Sequence, residues 1–160
     1  MEIILNKEPV KRVKEAISKF DPNINIIVLD NTAKTAKEAA FSLNCDVGAI
    51  VKSLLFKINE SFLICLVSGD KRCSLKKLKA ILNQTDIRMA NAQEVKDNTG
   101  FSIGGVSPVA HSKKFDILID KSLNRFESVF AAAGHPNCVF KINHKELIKL
   151  TKGIEKEISE

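Results

Sequence analysis

The stretch Ile50-Val51-Lys52-Ser53-Leu54-Leu55-Phe56 sets one ammonium group into the most strand-like run of a 160-residue chain. Alternate side chains of an extended strand share a face. Lys52 therefore stands in a row with Ile50, Leu54, Phe56 and Ile58, while Val51, Ser53, Leu55 and Lys57 form the other row. An unpaired ammonium in an apolar row is costly, and such a group tends to shed its proton. Three placements meet that constraint: a lysine snorkelling at the rim of an edge strand, a lysine paired with a buried carboxylate, or a lysine lining a cleft opposite an anion or a carbonyl. Downstream, Gly104-Gly105 can present backbone N–H groups to a ligand without a Cβ in the way, and Pro108 stiffens the segment. A second glycine-centred turn, Gly134-His135 within "AAAGHPN", joins two strand-like runs. A cation and backbone donors are groups that hold a phosphate or polarise a carbonyl. From spacing alone each glycine stretch is also an ordinary turn, His135 a solvated loop side chain, and no Ser–His–Asp or Cys–His set can be assembled.

These groups need elements to position them. Val10, Val13, Ile17 and Phe20 recur near helical spacing behind Pro9, predicting a helix over 9–20. "INIIVL" (24–29) reads as a strand. Thr35 and Glu38 have capping-box spacing ahead of a helix over 36–44. The lysine-bearing run and "FLICLVS" (62–68) read as two strands joined across "NES". Ser74 can cap a helix bearing Leu75, Leu78, Ile81 and Leu82. "IRMA" (87–90) is a short strand, and Asn91 with Glu94 opens a helix that Gly100 can end. "FSIGGVSPVAH" (101–111) has no period and is a loop. "FDILID" (115–120) is a strand, "KSLNRF" a short helix or turn, "SVFAAAG" and "NCVFKIN" two strand-like runs, and "HKELIKLT" (144–151) a helix with Leu147, Ile148 and Leu150 inward. The tail "KGIEKEISE" reads as frayed or helical on the surface. Without a repeated strand–helix–strand rhythm the pattern predicts an α+β fold with a mixed or largely antiparallel sheet. No linker or repeat divides residues 1–160, so one domain is expected.

The composition narrows the function classes. With 44% apolar and 28% charged residues, the chain is an ordinary globular one and extensive disorder is excluded. No apolar run approaches a membrane span and the N-terminus lacks a signal-peptide pattern, so a cytoplasmic protein without a membrane partner is expected. Cys45, Cys65, Cys73 and Cys138 form no C-x-x-C pair and read as free thiols. With three histidines they supply no closely paired metal ligands. The net charge of +6 agrees with a polyanionic partner, although Trp and Tyr are absent and no stacking platform for single-stranded bases is visible.

Taken in order, "IVKSLLF", "LVSGDKR", "GFSIGGVSPVAH", "FDILID" and "AAAGHPNCVFKI…ELIKLT" resemble the YbaK/prolyl-tRNA-synthetase-associated domain family over residues 24–152. The resemblance implies a mixed, barrel-like β-sheet surrounded by helices. It implies an aminoacyl-tRNA deacylase that hydrolyses the ester joining a wrong amino acid to the terminal adenosine of a tRNA, with no cofactor and no metal. Aminoacyl-tRNA and prolyl-tRNA synthetase are the implied partners. The family lysine falls on Lys52. The family's G-x-x-P-x-G loop falls on Gly105 to Ala110, matching at Gly105 and Pro108, with Ala110 in place of the last glycine. The glycine of the second turn falls on Gly134, and a serine that some members carry two residues earlier is Ala132 here. Members associated with alanine editing have an asparagine after the lysine, where this chain has Ser53. It therefore looks nearer to the YbaK-like side, where cysteine on proline tRNA is one substrate.

On this resemblance Lys52 contacts the phosphate or ribose end of the tRNA and orients the ester. Backbone N–H groups near Gly104, Gly105 and Gly134 polarise the carbonyl or bind the α-amino end. Ser53, Ser107, Pro108 and His135 are expected substrate contacts, with Phe56, Val106 and Val109 as walls. The ester is already labile, so positioning and charge stabilisation suffice without a protein nucleophile. Water attacks, or the substrate's own thiol if it is cysteinyl. Two other classes remain open at this point: a catalytically silent module that binds aminoacyl-tRNA or a synthetase, and a general nucleic-acid-binding domain.

Overall fold

A computed structural model describes residues 2–30 and 35–160. Helix termini follow local chemistry. Helices α1 (Glu2–Leu5) and α2 (Glu8–Phe20) come first, and α2 buries Val10, Val13 and Ile17 on one face. After strand β1 (Ile26–Val28), helix α3 (Ala36–Leu43) is capped by Thr35, whose Oγ1 accepts the Glu38 N–H. The hairpin β2 (Ile50–Ile58) and β3 (Ser61–Ser68) leads to α4 (Leu75–Leu82), capped by Ser74. Strand β4 (Ile87–Met89) precedes α5 (Ala92–Thr99), which opens on a reciprocal Asn91–Glu94 capping box and ends at Gly100 with φ +79°. Strands β5 (Asp116–Asp120), β6 (Ser128–His135) and β7 (Cys138–Asn143) lead to α6 (His144–Thr151) and β8 (Ile154–Lys156).

The strands form one mixed sheet in the order β1-β7-β6-β2-β3-β5-β8, with β4 added to β2. The expected α+β class and mixed sheet are present. β2 and β3 are antiparallel in a register that sets Leu55 opposite Ile64 and Phe56 opposite Leu63. Strand alternation then splits the core. Val51, Leu55, Ile64 and Leu66 face α2 and pack with Phe101, Ile119 and Phe140. Phe56, Leu63, Cys65 and Val67 face the other way, against Leu78 of α4 and Ile158.

The C-terminal tail corrects the sequence reading. It is neither frayed nor helical: β8 adds a parallel strand to β5, pairing Leu118 with Ile154 and Asp120 with Lys156. The buried Asp120 carboxylate accepts the Ile158 N–H at 2.8 Å, the Ser159 N–H at 3.0 Å and the Ser159 hydroxyl at 2.7 Å. Those bonds, with two from Ser122, outweigh the desolvation of the carboxylate and hold its pKa below the usual range. Glu160 exchanges backbone bonds with Arg72, and the Ser74 N–H reaches the Ile158 carbonyl. The tail thus straps down the segment between β3 and α4. Among the described residues no helix is long and apolar enough to cross a membrane.

Candidate active site

β2 changes partner halfway along. Its start pairs in parallel with β6 at Ile50 and Val51, and its end pairs antiparallel with β4 at Phe56 to Ile58. Between them, among the described residues, only β3 flanks the strand. Backbone groups point alternately to either side of a strand. The Leu55 carbonyl accepts the Ala90 N–H at 2.9 Å on the β4 side, so the N–H and C=O of Ser53 point into the gap, where no strand among the described residues receives them. A cavity of about 320 Å³ occupies this gap. Its walls are mostly apolar, among them Leu54, Met89, Ile103, Val106, Phe130 and Ala132, with Thr35, Lys52 and Ser53 as polar side chains. Ser53 Oγ is buried and has no hydrogen-bond partner among the described residues. An unsatisfied buried hydroxyl costs about 1–3 kcal/mol, a strain that a ligand in the cavity can relieve.

Lys52 lines the same cavity, half-buried, with Nζ donating to the Lys71 carbonyl. The edge-strand reading is corrected: β2 lies inside the sheet and is bare only at the gap. Burial lowers the lysine's pKa, opposed by Asp70 and Cys73, while Arg72 lowers it further. Asp70 gives its carboxylate to Arg125, at 2.7 and 3.1 Å, and this pairing holds the carboxyl below its usual range. Among the described residues no carboxylate lies within 4.0 Å of Lys52 Nζ. The lysine is therefore bound to a neutral carbonyl, on a segment that the C-terminal strap fixes, and its charge is left for a ligand.

The glycine loop is anchored from α2. Arg12 donates from Nε to the Ala110 carbonyl at 3.0 Å and from a terminal nitrogen to the Thr99 carbonyl at 3.4 Å, so one side chain ties both ends of the loop. Its guanidinium also lies 4.7 Å from the Phe101 ring centroid. His111 bonds the Ser107 carbonyl through Nε2 at 2.7 Å, between the edges of Phe101 and Phe115. Burial, with Arg12 adding to it, pushes the His111 pKa down to about 4. Gly104, at φ +92°, and Val106 reach the cavity.

Several expected contacts stand elsewhere. The Gly105 N–H donates to the Ser102 carbonyl at 3.0 Å and is not free to polarise a substrate. A Cβ on Gly105 would lie 3.0 Å from the His135 backbone, and one on Gly134 would lie 2.7 Å from the Pro9 carbonyl. The two glycine turns do meet, but Gly105 and Gly134 serve close backbone packing. Phe56 is 1% exposed under α4 and cannot touch a substrate. Ser107 is fully buried, and its Oγ accepts the Val109 N–H. Pro108 and Val109 line a separate groove. His135 takes the Asn137 N–H on Nδ1 and is absent from the cavity wall. Sequence reasoning missed Met89, Ile103, Phe130 and Pro136 as walls. Only Pro136, beside the second turn, carried a local signal. Among the described residues no group of three metal-ligating side chains comes together.

Comparison with known proteins agrees with this architecture. Residues 30–150 match the model of the aminoacyl-tRNA editing domain. The proline–tRNA ligase of Bacillus velezensis is 30% identical over 123 residues, 76% of this chain but 20% of the ligase, so the chain spans about a fifth of that relative. The uncharacterized protein YwhH of Bacillus subtilis is 27% identical over 139 residues, 86% of this chain and 88% of YwhH. A crystal structure described as a candidate trans-editing enzyme for prolyl tRNA synthetase superposes with a TM-score of 0.90 at 34% identity, covering 96% of this chain and 98% of that one. With a family match that takes in the lysine strand and the glycine loop alike, the chain belongs to the aminoacyl-tRNA editing domain family.

Proposed function

We propose that this protein is a trans-acting deacylase that removes a small wrong amino acid, such as cysteine on proline tRNA, from the 3′ end of a tRNA. The observation that carries the reading is the gap in β2, which gathers Lys52, the unpartnered Ser53 hydroxyl and free backbone groups around one apolar cavity. At about 320 Å³ the cavity lies at the small end of ligand pockets, which run to roughly 1,000 Å³. That size favours a small side chain, and a separate small pocket is a second sieve for a synthetase that separates close homologues by only about 1–3 kcal/mol.

Among the described residues no cysteine or histidine lines the cavity, and the chemistry is that of positioning. Lys52 holds the phosphate or ribose of the terminal adenosine with the N–H groups not given to Lys71. Ser53, through its hydroxyl or its exposed backbone N–H, holds the ester carbonyl as charge develops on it. Water adds to that carbonyl, the bond to the ribose oxygen breaks, and the ribose oxygen takes the proton. With a cysteinyl substrate its own thiol can attack the carbonyl in place of water: the bond to the ribose oxygen breaks, the thiol proton passes to that oxygen, and the amino acid leaves as a thiolactone that water then opens. The test is a panel of mischarged tRNAs, following release of the amino acid. Wild-type protein should release at least one small amino acid, and Lys52→Ala should lose roughly 10²–10³-fold in rate with an unchanged circular dichroism spectrum. Binding without release across the panel supports a silent module, and a folded Lys52→Ala of full activity refutes the proposed role of the lysine.

A further inference from the structure

The molecule carries a second concavity that the cavity chemistry does not use. A long groove runs beside β5 and the end of α6, bounded by the far half of the glycine loop. Lys19, Lys113, Lys114, Lys149 and Lys152 line it, against two acidic side chains, Glu60 and Asp116. Of the five, Lys149 pairs with Glu146 at 3.7 Å and Lys113 donates to the neutral Asn98 side chain at 3.0 Å. Lys19, Lys114 and Lys152 are exposed and have no carboxylate within 4.0 Å among the described residues. Between the lysines lie half-buried Phe20, Phe62 and Phe115. A basic channel interleaved with aromatic faces is the arrangement by which proteins follow a nucleic-acid backbone. The net charge of +6 agrees with such a surface, but no local pattern locates it, because the three phenylalanines come from three distant segments.

We propose that this groove binds the phosphodiester backbone of the tRNA acceptor end, a reading that rests on the proposed deacylase function. The loop links the two sites. Gly104 and Val106 line the cavity, and Pro108 to His111 line the groove. Only Ser107 separates Val106 from Pro108, so the two Cα atoms are at most about 7 Å apart. An RNA strand lying in the groove arrives at the wall that it shares with the cavity, and Arg12 holds that wall in place. The excess of lysine over carboxylate gives the groove the charge complementary to phosphate and opposes a second copy of this basic chain, while the phenylalanines between the lysines suit nucleic-acid bases better than an acidic protein surface.

The test uses uncharged tRNA as the probe, with fluorescence anisotropy across a salt series. The variant is the triple neutralisation Lys19→Gln, Lys114→Gln, Lys152→Gln, which alters none of the cavity residues. The dissociation constant should rise roughly tenfold or more, and the slope of log K against log salt should flatten by about 2–3. In the mischarged-tRNA assay KM should rise while the rate at saturation stays the same. In the wild type, bound tRNA should also protect these lysines from acylation by a succinimidyl ester. An unchanged dissociation constant and salt slope overturns the proposal, as does full acylation in the presence of saturating tRNA. The two readings separate cleanly. tRNA binding through the groove without release of any amino acid sinks the deacylase and keeps the groove. Release with a KM indifferent to the three lysines does the reverse.

Discussion

Acid should loosen the glycine loop through one buried imidazole. His111 is held neutral by burial, reinforced by the Arg12 guanidinium, with its pKa at about 4 in the folded protein against an unfolded value near 6.5. The bond to the Ser107 carbonyl pulls the other way and does not win. A folded pKa below the unfolded one means that the unfolded chain takes up the proton first. The stability is therefore fully present above about pH 6.5 and is lost as the pH falls toward 4. The gap of about 2.5 units corresponds to about 3 kcal/mol when complete, and about 2 kcal/mol of it is gone by pH 5. His135, also lowered by burial and by Lys7, acts in the same direction, so the comparison must isolate His111. His111→Gln keeps an N–H donor for Ser107 and cannot take up the proton. Losing the ring between Phe101 and Phe115 weakens the variant equally at every pH. Urea unfolding at pH 7.5 and pH 5 should show the wild type losing about 2 kcal/mol more than His111→Gln. Parallel losses, within about 0.5 kcal/mol, refute the claim that desolvation of this imidazole governs the loop.

Two further outcomes follow from the cavity and its wall. Ser53→Ala removes a buried hydroxyl that has no partner, so the urea midpoint should rise by the equivalent of about 1 kcal/mol while kcat/KM on mischarged tRNA falls; a variant that is both less stable and fully active contradicts the assignment. Ala110 adopts φ +65°, a left-handed conformation that strains a residue with a Cβ by about 1 kcal/mol, so Ala110→Gly should unfold at a higher temperature with its activity unchanged.

What the sequence revealed and what it hid divide along the range of the interactions. The caps at Thr35, Ser74 and Asn91 were legible because acceptor and donor lie three residues apart, and all three bonds are present. The strand pair around Lys52 was legible from alternation. The tail was not, because Asp120 holds it and no period within "KGIEKEISE" announces a partner that far upstream. The row shared by Lys52 and Phe56 was right as a row and wrong as a site. One end of it opens at the gap, and the other lies under α4, because β2 exchanges β6 for β4 between them. No residue pattern in β2 marks that exchange. The glycines illustrate a related limit. A sequence can show that a Cβ is not tolerated, but not which group takes the space. At Gly105 it is the His135 backbone and at Gly134 the Pro9 carbonyl, not a substrate.

The same distinction changes the meaning of the two departures from the family pattern. Ala110 replaces the last loop glycine, and its positive φ shows that the need for glycine there is conformational. Its carbonyl is held by Arg12 and it faces the lysine groove, away from the cavity. The alanine strains the loop by an amount that the Arg12 bond and the packing of Phe101 can offset, and it is not among the residues that line the cavity. Ala132 is the opposite case. It lies on β6 and lines the cavity, where a serine would add a hydroxyl to the same set of walls as Ser53 and Lys52. Ala132 leaves that wall apolar, so Thr35, Lys52 and Ser53 carry the polar side chains of the cavity. Restoring the glycine at 110 should change stability alone, whereas Ala132→Ser should change which amino acid is released.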